Sequence, residues 1–578
     1  MTRKFIIVIL IVLIQISSAF SQTSLSSQIS IDTLKSSYSI SGELNRVDLS
    51  SGPLMNTVSW SSLSPWFINP INFLYTGNPF QLENKSQSIR YTSLPHIGFN
   101  YSFGSSGYQN AVLNYSQSFA KNFIMNIDFK SFQSGGILRN SGFKNQDIQL
   151  KVLKQWKQIE LFLNAKSVNR TFEWNGGITN DSLPLTYSLG LIPVLKSDAL
   201  SVRKDISIIS ETKFTIHSDS MIRLGLTAKN RFDSQNRIYS ETGNIALMYP
   251  SIYVDSFETR DHLQISTQKN ELALFLQTKN SKFNLGVEQT FWNFRNGSLY
   301  RDTFELAINE NIQLKINKFK INQKIHYYFV GRSSNWKSEI SVDKKSKFWS
   351  ISSSWKIENS LPDLFQRHYF SNNTYYQLPT YENQLKSRVD LICTYVMKKS
   401  KIELNGSYIY LKKPYFFDGQ TWVNSLYNQV NAMYASLTFD YKYKAFSVLP
   451  NYSISILPSQ LNFYPTHNLN VRVAVQGGIF KNRKLKTYIG FEPRWIGSYS
   501  PITIIPSMDL FLLNGTSNRQ LAYFDCAVFT GLELNGFKFF ARAENLGYFW
   551  NNRMLQVLKG YPIPPMQIKL GITWDFWN

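Results

Sequence analysis

The chain has 578 residues, with 61 Lys and Arg against 38 Asp and Glu for a formal net charge of +23, 15% aromatic and 43% hydrophobic residues, and a mean hydropathy of −0.23. Two cysteines in so long a chain exclude a disulfide framework, and past the first residues no apolar run is long enough for a spanning helix. Many aromatics at middling hydropathy suit strands that face lipid on one side and water on the other.

Arg3 and Lys4 precede an apolar run from Phe5 to Ile14, and Ala19-Phe20-Ser21 offers a small-residue cleavage site before Gln22. Residues 1–21 therefore read as a secretory signal peptide, and the absence of a nearby cysteine excludes a lipoprotein anchor. Loss of Arg3 and Lys4 lowers the charge to +21. Export removes nucleic acid from the expected partners, leaving a basic lumen or anionic lipid headgroups as uses for the charge. An exported chain without a spanning helix is either soluble outside the cytoplasm or a β-barrel.

Residues 22 to about 60 are Ser-rich and polar, the composition of a loosely ordered periplasmic lead. Trp60 to Gln81 is more apolar and turn-rich, suited to packing inside or beneath a barrel mouth. The expected organisation is a periplasmic or inner-mouth segment over 22–90 and a barrel over 91–578.

From Ile97 onward the apolar period is two, the period of a strand with one wet face. Met125, Ile127 and Phe129 alternate with Asn126, Asp128 and Lys130, and Ile148, Leu150 and Val152 with Gln149 and Lys151. The pattern recurs through Ile222 to Leu226, Phe283 to Val287, Ile312 to Ile316, Val389 to Tyr395, Ala435 to Tyr441 and Leu469 to Val475. Cys393 and Cys526 fall in the apolar phase, as small outward-facing residues. Asn535-Gly536, between Leu534 and Phe537, is the strongest short-range hairpin signal.

Short turns near 120, 156, 218, 279, 317, 345, 399, 443, 482 and 535 alternate with long polar connections, among them Ser167 to Leu200, Asn230 to Arg260, Leu361 to Lys386 and Ser498 to Arg519. The turns imply about 22 strands, and boundary uncertainty widens that to roughly 16–22. The expected fold is all-β: a single antiparallel transmembrane β-barrel with short periplasmic turns, long extracellular loops and an even strand number.

Opposite the apolar phase stand Lys151, Arg223, Lys315, Lys320, Lys356, Arg472, Lys486, Lys538, Arg542 and Lys569. Together they predict a basic, water-filled lumen with weak anion preference. The lysine turns Lys344-Lys345 and Lys398-Lys399 read as solvated rim charges that can also touch acidic lipid. Trp349, Trp355, Tyr408, Tyr410, Trp495, Trp550 and Trp574 read as interfacial girdle residues, with a sugar-stacking track as the alternative.

The six histidines are scattered and none has metal-ligand spacing; no nucleophile elbow, phosphate loop or dinucleotide motif occurs. No catalytic, cofactor or metal site is expected. His326 and His217 are the only bases that a dispersed Ser/His/Asp site could use.

The chain closes on Met566 to Asn578, where Ile568, Leu570, Ile572, Trp574 and Phe576 alternate with Gln567, Lys569, Gly571, Thr573 and Asp575. At about nine to eleven residues this is the length a tilted strand needs to cross a bilayer. It should pair with a first strand near His96 to Phe103 and serve the barrel-assembly machinery as the insertion signal.

Ala543-Glu544-Asn545-Leu546, then Gly560-Tyr561-Pro562-Ile563-Pro564-Pro565, then Leu570 to Phe576 resemble an ending shared by TonB-dependent receptors and the "putative porin" family of Gram-negative outer membranes. Leu74 to Pro79 resembles the Gly-Asn corner near the start of the second family. Trp60 to Gln81 is too short for the globular plug of a TonB-dependent receptor, and without a plug domain or a TonB box the resemblance is to the putative porins. Two departures stand out: Trp577 and Asn578 follow the usual terminal aromatic, and Pro565-Met566 replaces the usual Arg after the Tyr-Pro turn. The resemblance implies an outer-membrane barrel passing small solutes, with outer-membrane lipid as its surroundings. A plugged barrel serving as a scaffold for a transport or secretion complex is the alternative, ahead of a barrel enzyme or a soluble secreted β protein. Which long loop folds inward is left to the structure.

Overall fold

The computed structural model describes residues 31–33, 89–92, 94–120, 122–243, 245–331, 335–378, 380–424, 428–479, 485–512 and 519–577. The signal peptide with its cleavage point, Trp60 to Gln81, the Leu74 to Pro79 corner and the turn around Lys481-Asn482-Arg483 lie outside the described residues.

Twenty-two strands close into one ring. They are β1 His96–Gly104, β2 Tyr108–Ala120, β3 Phe123–Ser134, β4 Phe143–Gln155, β5 Ile159–Trp174, β6 Ala199–Ser218, β7 Ile222–Thr242 and β8 Glu258–Thr278. There follow β9 Ser281–Asn296, β10 Leu299–Ile316, β11 Phe319–Val330, β12 Trp336–Lys345, β13 Trp349–Ser360, β14 Gln384–Val396 and β15 Ser400–Lys412. The ring is completed by β16 Gln429–Tyr443, β17 Phe446–Ile456, β18 His467–Ile479, β19 Leu485–Ile496, β20 Tyr523–Leu534, β21 Phe537–Glu544 and β22 Gln567–Trp577. Each pairs antiparallel with its neighbours in sequence, and β22 pairs with β1 from His96↔Trp577 to Gly104↔Lys569. Closure leaves no sheet edge, which lipid would not tolerate.

The period-two pattern sets which side faces out. On β22, Gln567, Lys569, Gly571 and Thr573 are buried, whereas Trp574 (41% exposed) and Phe576 (40%) stand on the outer surface with Ile568. Cys393 and Cys526 fall in the outward phase, beside Leu391 and Phe524. Trp355, Trp495 and Trp574 project outward, Trp495 and Trp574 toward strand ends and Trp355 at mid-strand. Trp550 lies on no strand; it follows the short 3-10 turn Leu546–Phe549 and donates its indole N–H to Phe524 O at 3.0 Å.

One rim carries the tight turns and both chain ends of the ring. At Asn535-Gly536 both residues have positive φ (48° and 82°), the twist a two-residue hairpin needs. The lysines of this rim lie over aromatic rings, Lys344 over Phe319 at 4.7 Å and Trp349 at 4.8 Å, Lys399 over Tyr443 at 4.6 Å. The other rim mixes long loops with the short connections 105–107 and 297–298.

Two predicted loops are shorter than the sequence suggests. The connection read from Asn230 to Arg260 is strand to Thr242 and again from Glu258, leaving only 243–257 between them. Likewise β5 runs to Trp174 and β6 begins at Ala199. On β7 the outward residues pass from Ile222, Leu224 and Leu226 to the mixed row Asn230, Phe232, Ser234, Asn236 and Ile238. The hydrogen-bonded ladder continues where the apolar alternation lapses, so the alternation by itself understates the strand.

The lead segment enters the barrel. Ile89–Tyr91, paired in parallel with Ile31–Thr33, buries Ile89 against Ile124, Leu153 and Phe162 of the inner wall. Arg90 N–H donates to Asn126 Oδ1 (2.7 Å), Asn126 Nδ2 donates back to Arg90 O (3.0 Å), and the Arg90 guanidinium pairs with Asp128.

Candidate functional site: a lumen crossed by a loop strap

Between β19 and β20, the described residues 497–512 fold inward. Their centre is a hairpin, Thr503–Ile505 paired with Leu510–Leu512, turned through Pro506 to Asp509. Asp509 sits in the left-handed region (φ 52°), which its short polar side chain tolerates. The tip docks on β7, twelve strands away round the ring one way and ten the other. The loop thus spans the mouth like a strap.

Arg237 is the dock. It is 2% exposed, on the inward phase of β7. Its Nε donates to Asp509 Oδ2 (2.7 Å) and Ser201 Oγ (3.2 Å), Nη1 to Ser507 O (2.7 Å) and Nη2 to Pro506 O (2.9 Å). Tyr369, from the loop after β13, adds a bond from its hydroxyl to Ser507 O at 3.4 Å. One planar guanidinium thereby meets a buried carboxylate oxygen and two turn carbonyls at once.

Apolar side chains of the strap join packed clusters on several sides of the mouth. Ile504 packs with Phe172, Trp174, Ile178, Leu189 and Tyr561; Met508 and Leu510 pack with Phe294, Phe365, Tyr369, Tyr376 and Trp422; Tyr499 packs with Tyr523 and Ile563. Within the first cluster Tyr108, Phe132, Phe143, Phe172 and Trp174 form a ladder across adjacent strands, centroids 4.8 to 5.7 Å apart. These rings are all buried. The loops over them meet backbone to backbone: Ile178 N–H donates to Gly560 O (2.8 Å), and a Cβ on Gly177 would stand 3.0 Å from Gly560 Cα. Asn545, in the Asn-Leu corner, adopts φ 59° and hydrogen-bonds Pro565 O at 3.3 Å.

The ten basic residues singled out from the sequence all lie on the inward phase of their strands. Several form ion pairs among the described residues: Lys356 with Glu339, Arg472 with Glu492, Lys486 with Glu533, Arg542 with Glu492 and Glu544, and Lys569 with Glu544. The wall of β18 to β22 is thus a charge lattice rather than a basic surface, because acidic residues occupy the same inward phase. Lys151 and Lys538 line the wall at other heights, Lys538 buried. Arg223, Lys315 and Lys320 gather near the tight-turn rim. Arg237 stands outside the predicted set, although it continues the phase of Arg223 along β7.

His326 faces Glu288 (3.5 Å) and the edge of Tyr328, and His217 faces Asp219 at an exposed turn. No group of His, Cys, Asp and Glu suited to a metal occurs among the described residues.

A family model described as "Putative porin" matches residues 15–578. No curated protein matches the chain. Among solved structures it is similar to the FrpB iron transporter from Neisseria meningitidis (TM-score 0.57, 11% identity, 84% of this chain and 83% of that one). It is also similar to the copper transporter OprC (0.60, 11%, 84% and 81%) and the siderophore receptor PirA from Acinetobacter baumannii (0.58, 10%, 85% and 82%). At such identities the likeness is one of fold.

Proposed function

The chain belongs to the putative porin family, and from that premise we propose that it is a transport barrel of the Gram-negative outer membrane, passing small solutes weakly selectively along a path whose width the strap sets. The observation that carries this reading is the strap itself. A loop that leaves one wall and is clamped by Arg237 on the other divides the lumen without filling it with a folded domain. The inward charges offer polar contacts to a passing solute, and the iron transporter, copper transporter and siderophore receptor named above share the barrel architecture. Chemistry has no part in this reading: the protein acts as a path, not an enzyme. Export through a signal peptide cleaved near Ser21 brings it to the membrane, and N-terminal sequencing of the mature protein should begin at Gln22.

One observation favours a second reading. The loop clusters close over the outer mouth while Ile89–Tyr91 occupies part of the inner one, as a plugged scaffold would require. Single-channel recording on refolded protein separates the two. Discrete conductance steps are expected; a silent membrane, together with co-purification of a large partner, would establish the scaffold and sink the path.

A further inference from the structure

At the tight-turn end of the lumen, cations and amides alternate across neighbouring strands at one height. The register sets Arg223 opposite Gln277, Gln277 opposite Lys282 and Lys282 opposite Gln313. One pair nearer the rim, Lys315 stands directly opposite Lys320. All six are on the inward phase. Like charges directly opposed across a strand pair repel, and the charges of Lys213, Arg223, Lys315 and Lys320 all bear on Lys282. Lys213 is balanced by Glu160 and Glu211, at 3.2 and 3.1 Å. Lys315 and Lys320 make no ion pair among the described residues; Asp343, opposite Lys320 on β12, instead accepts a hydrogen bond from Ser352 Oγ. Thr215 Oγ1 accepts from Arg223 Nε (3.0 Å) and Nη2 (2.8 Å), which fixes the guanidinium plane and leaves its remaining N–H groups directed elsewhere.

We propose that Arg223, Gln277, Lys282, Gln313, Lys315 and Lys320 form an anion-binding collar at the periplasmic mouth, which takes small solutes bearing phosphate or carboxylate groups. The collar rests on the reading of the lumen as a solute path and names the class of solute it favours. Neighbouring strands lie about 4.8 Å apart, so ammonium, amide and guanidinium donors recur at the spacing over which a multivalent oxyanion can be held by several at once. The opposed lysines cost the empty barrel stability and are relieved when the anion arrives. Along β18 to β22 the lumen instead pairs Arg472, Lys486, Arg542 and Lys569 with carboxylates.

The test uses the full mature chain refolded into planar bilayers of phosphatidylcholine, whose neutral headgroups cannot stand in for the ligand. Reversal potential is read under a KCl gradient, and inorganic pyrophosphate is added to each side in turn. Anion-selective reversal is expected, with block from the tight-turn side at a concentration about tenfold below that from the other, since several unit charges act together there. The triple variant Lys282→Gln, Lys315→Gln, Lys320→Gln should abolish the sidedness. The charge-keeping variant Lys315→Arg, Lys320→Arg should retain it, both variants first being checked for heat-modifiable gel mobility. A conducting channel that prefers cations, or is blocked equally from both sides, overturns the collar and leaves the path intact. If no variant conducts, the path fails, and equilibrium dialysis of pyrophosphate against detergent-solubilised protein decides the collar. There, about tenfold weaker binding by the triple variant upholds it, and unchanged binding refutes it.

Discussion

At the scale of single residues, Arg237 governs the strap. Its charge is withdrawn from water, so removing it leaves Asp509 as an uncompensated buried anion, a change that costs about 3–5 kcal/mol where no water enters to relieve it. Arg237→Ala should therefore detach the strap tip while the barrel stays closed. We expect protease cleavage within 497–522 and larger single-channel conductance, with unchanged heat-modifiable mobility. Arg237→Ala combined with Asp509→Ala should conduct like the single variant yet be more stable, because neither charge is then stranded. An uncleaved loop in Arg237→Ala would show that the apolar contacts of Ile504, Met508 and Leu510 hold it unaided. The sequence hinted at Arg237 only through its shared phase with Arg223, because nothing local joins it to a turn 272 residues away. Lys315 and Lys320 were legible because phase is local; their mutual opposition needed the β10–β11 register.

At the scale of elements, the loops of the outer mouth are held by packing and capping together with short two-stranded ladders. The loop after β13 begins with the short helix Leu364–Arg367, closed by a capping box between Asp363 and Gln366. His368 follows it, and burial, with Arg367 and Arg301 nearby, holds its imidazole below the ordinary 6.5. The packed loop therefore favours neutral His368, while a detached loop would take up a proton at about 6.5. The stabilising contribution is complete above that value and declines as pH falls from it through the lower packed value. Backbone amide protection factors over 364–378, which divide out the intrinsic slowing of exchange in acid, should fall on acidification from pH about 7 to about 5, and His368→Gln should flatten the response. An equal fall in that variant would place the acid sensitivity elsewhere.

At the scale of the whole molecule, closure depends on the last strand finding the first. The outward row Ile568, Leu570, Ile572, Trp574 and Phe576 meets lipid, and its inward partner Lys569, 4% exposed, is paired with Glu544 at 2.7 Å. Trp574 and Phe576 pack on each other, centroids 4.1 Å apart, and Trp574 meets Phe537 edge-on at 5.7 Å. Replacing Trp574 and Phe576 with Ser removes that interfacial cluster from the seam. Outer-membrane levels should fall several-fold while signal-peptide processing continues, as immunoblots of membrane fractions would show. Normal levels would remove β22 from its place as the insertion signal.

What the sequence determined by itself is what repeats locally. Period-two alternation marked the strands and their lipid face, Asn535-Gly536 marked a turn, and the tight turns counted the hairpins of a 22-strand ring. These depend on neighbours within a few residues, where hydrophobic transfer and backbone geometry act directly. What only the tertiary structure decided is which loop crosses the lumen, which cations meet carboxylates, and how far the strands run past the apolar alternation. Those depend on groups brought together by ring closure from distant parts of the chain. No local period records such meetings, because the free energy of a docked strap or a buried pair exists only once both walls are in place.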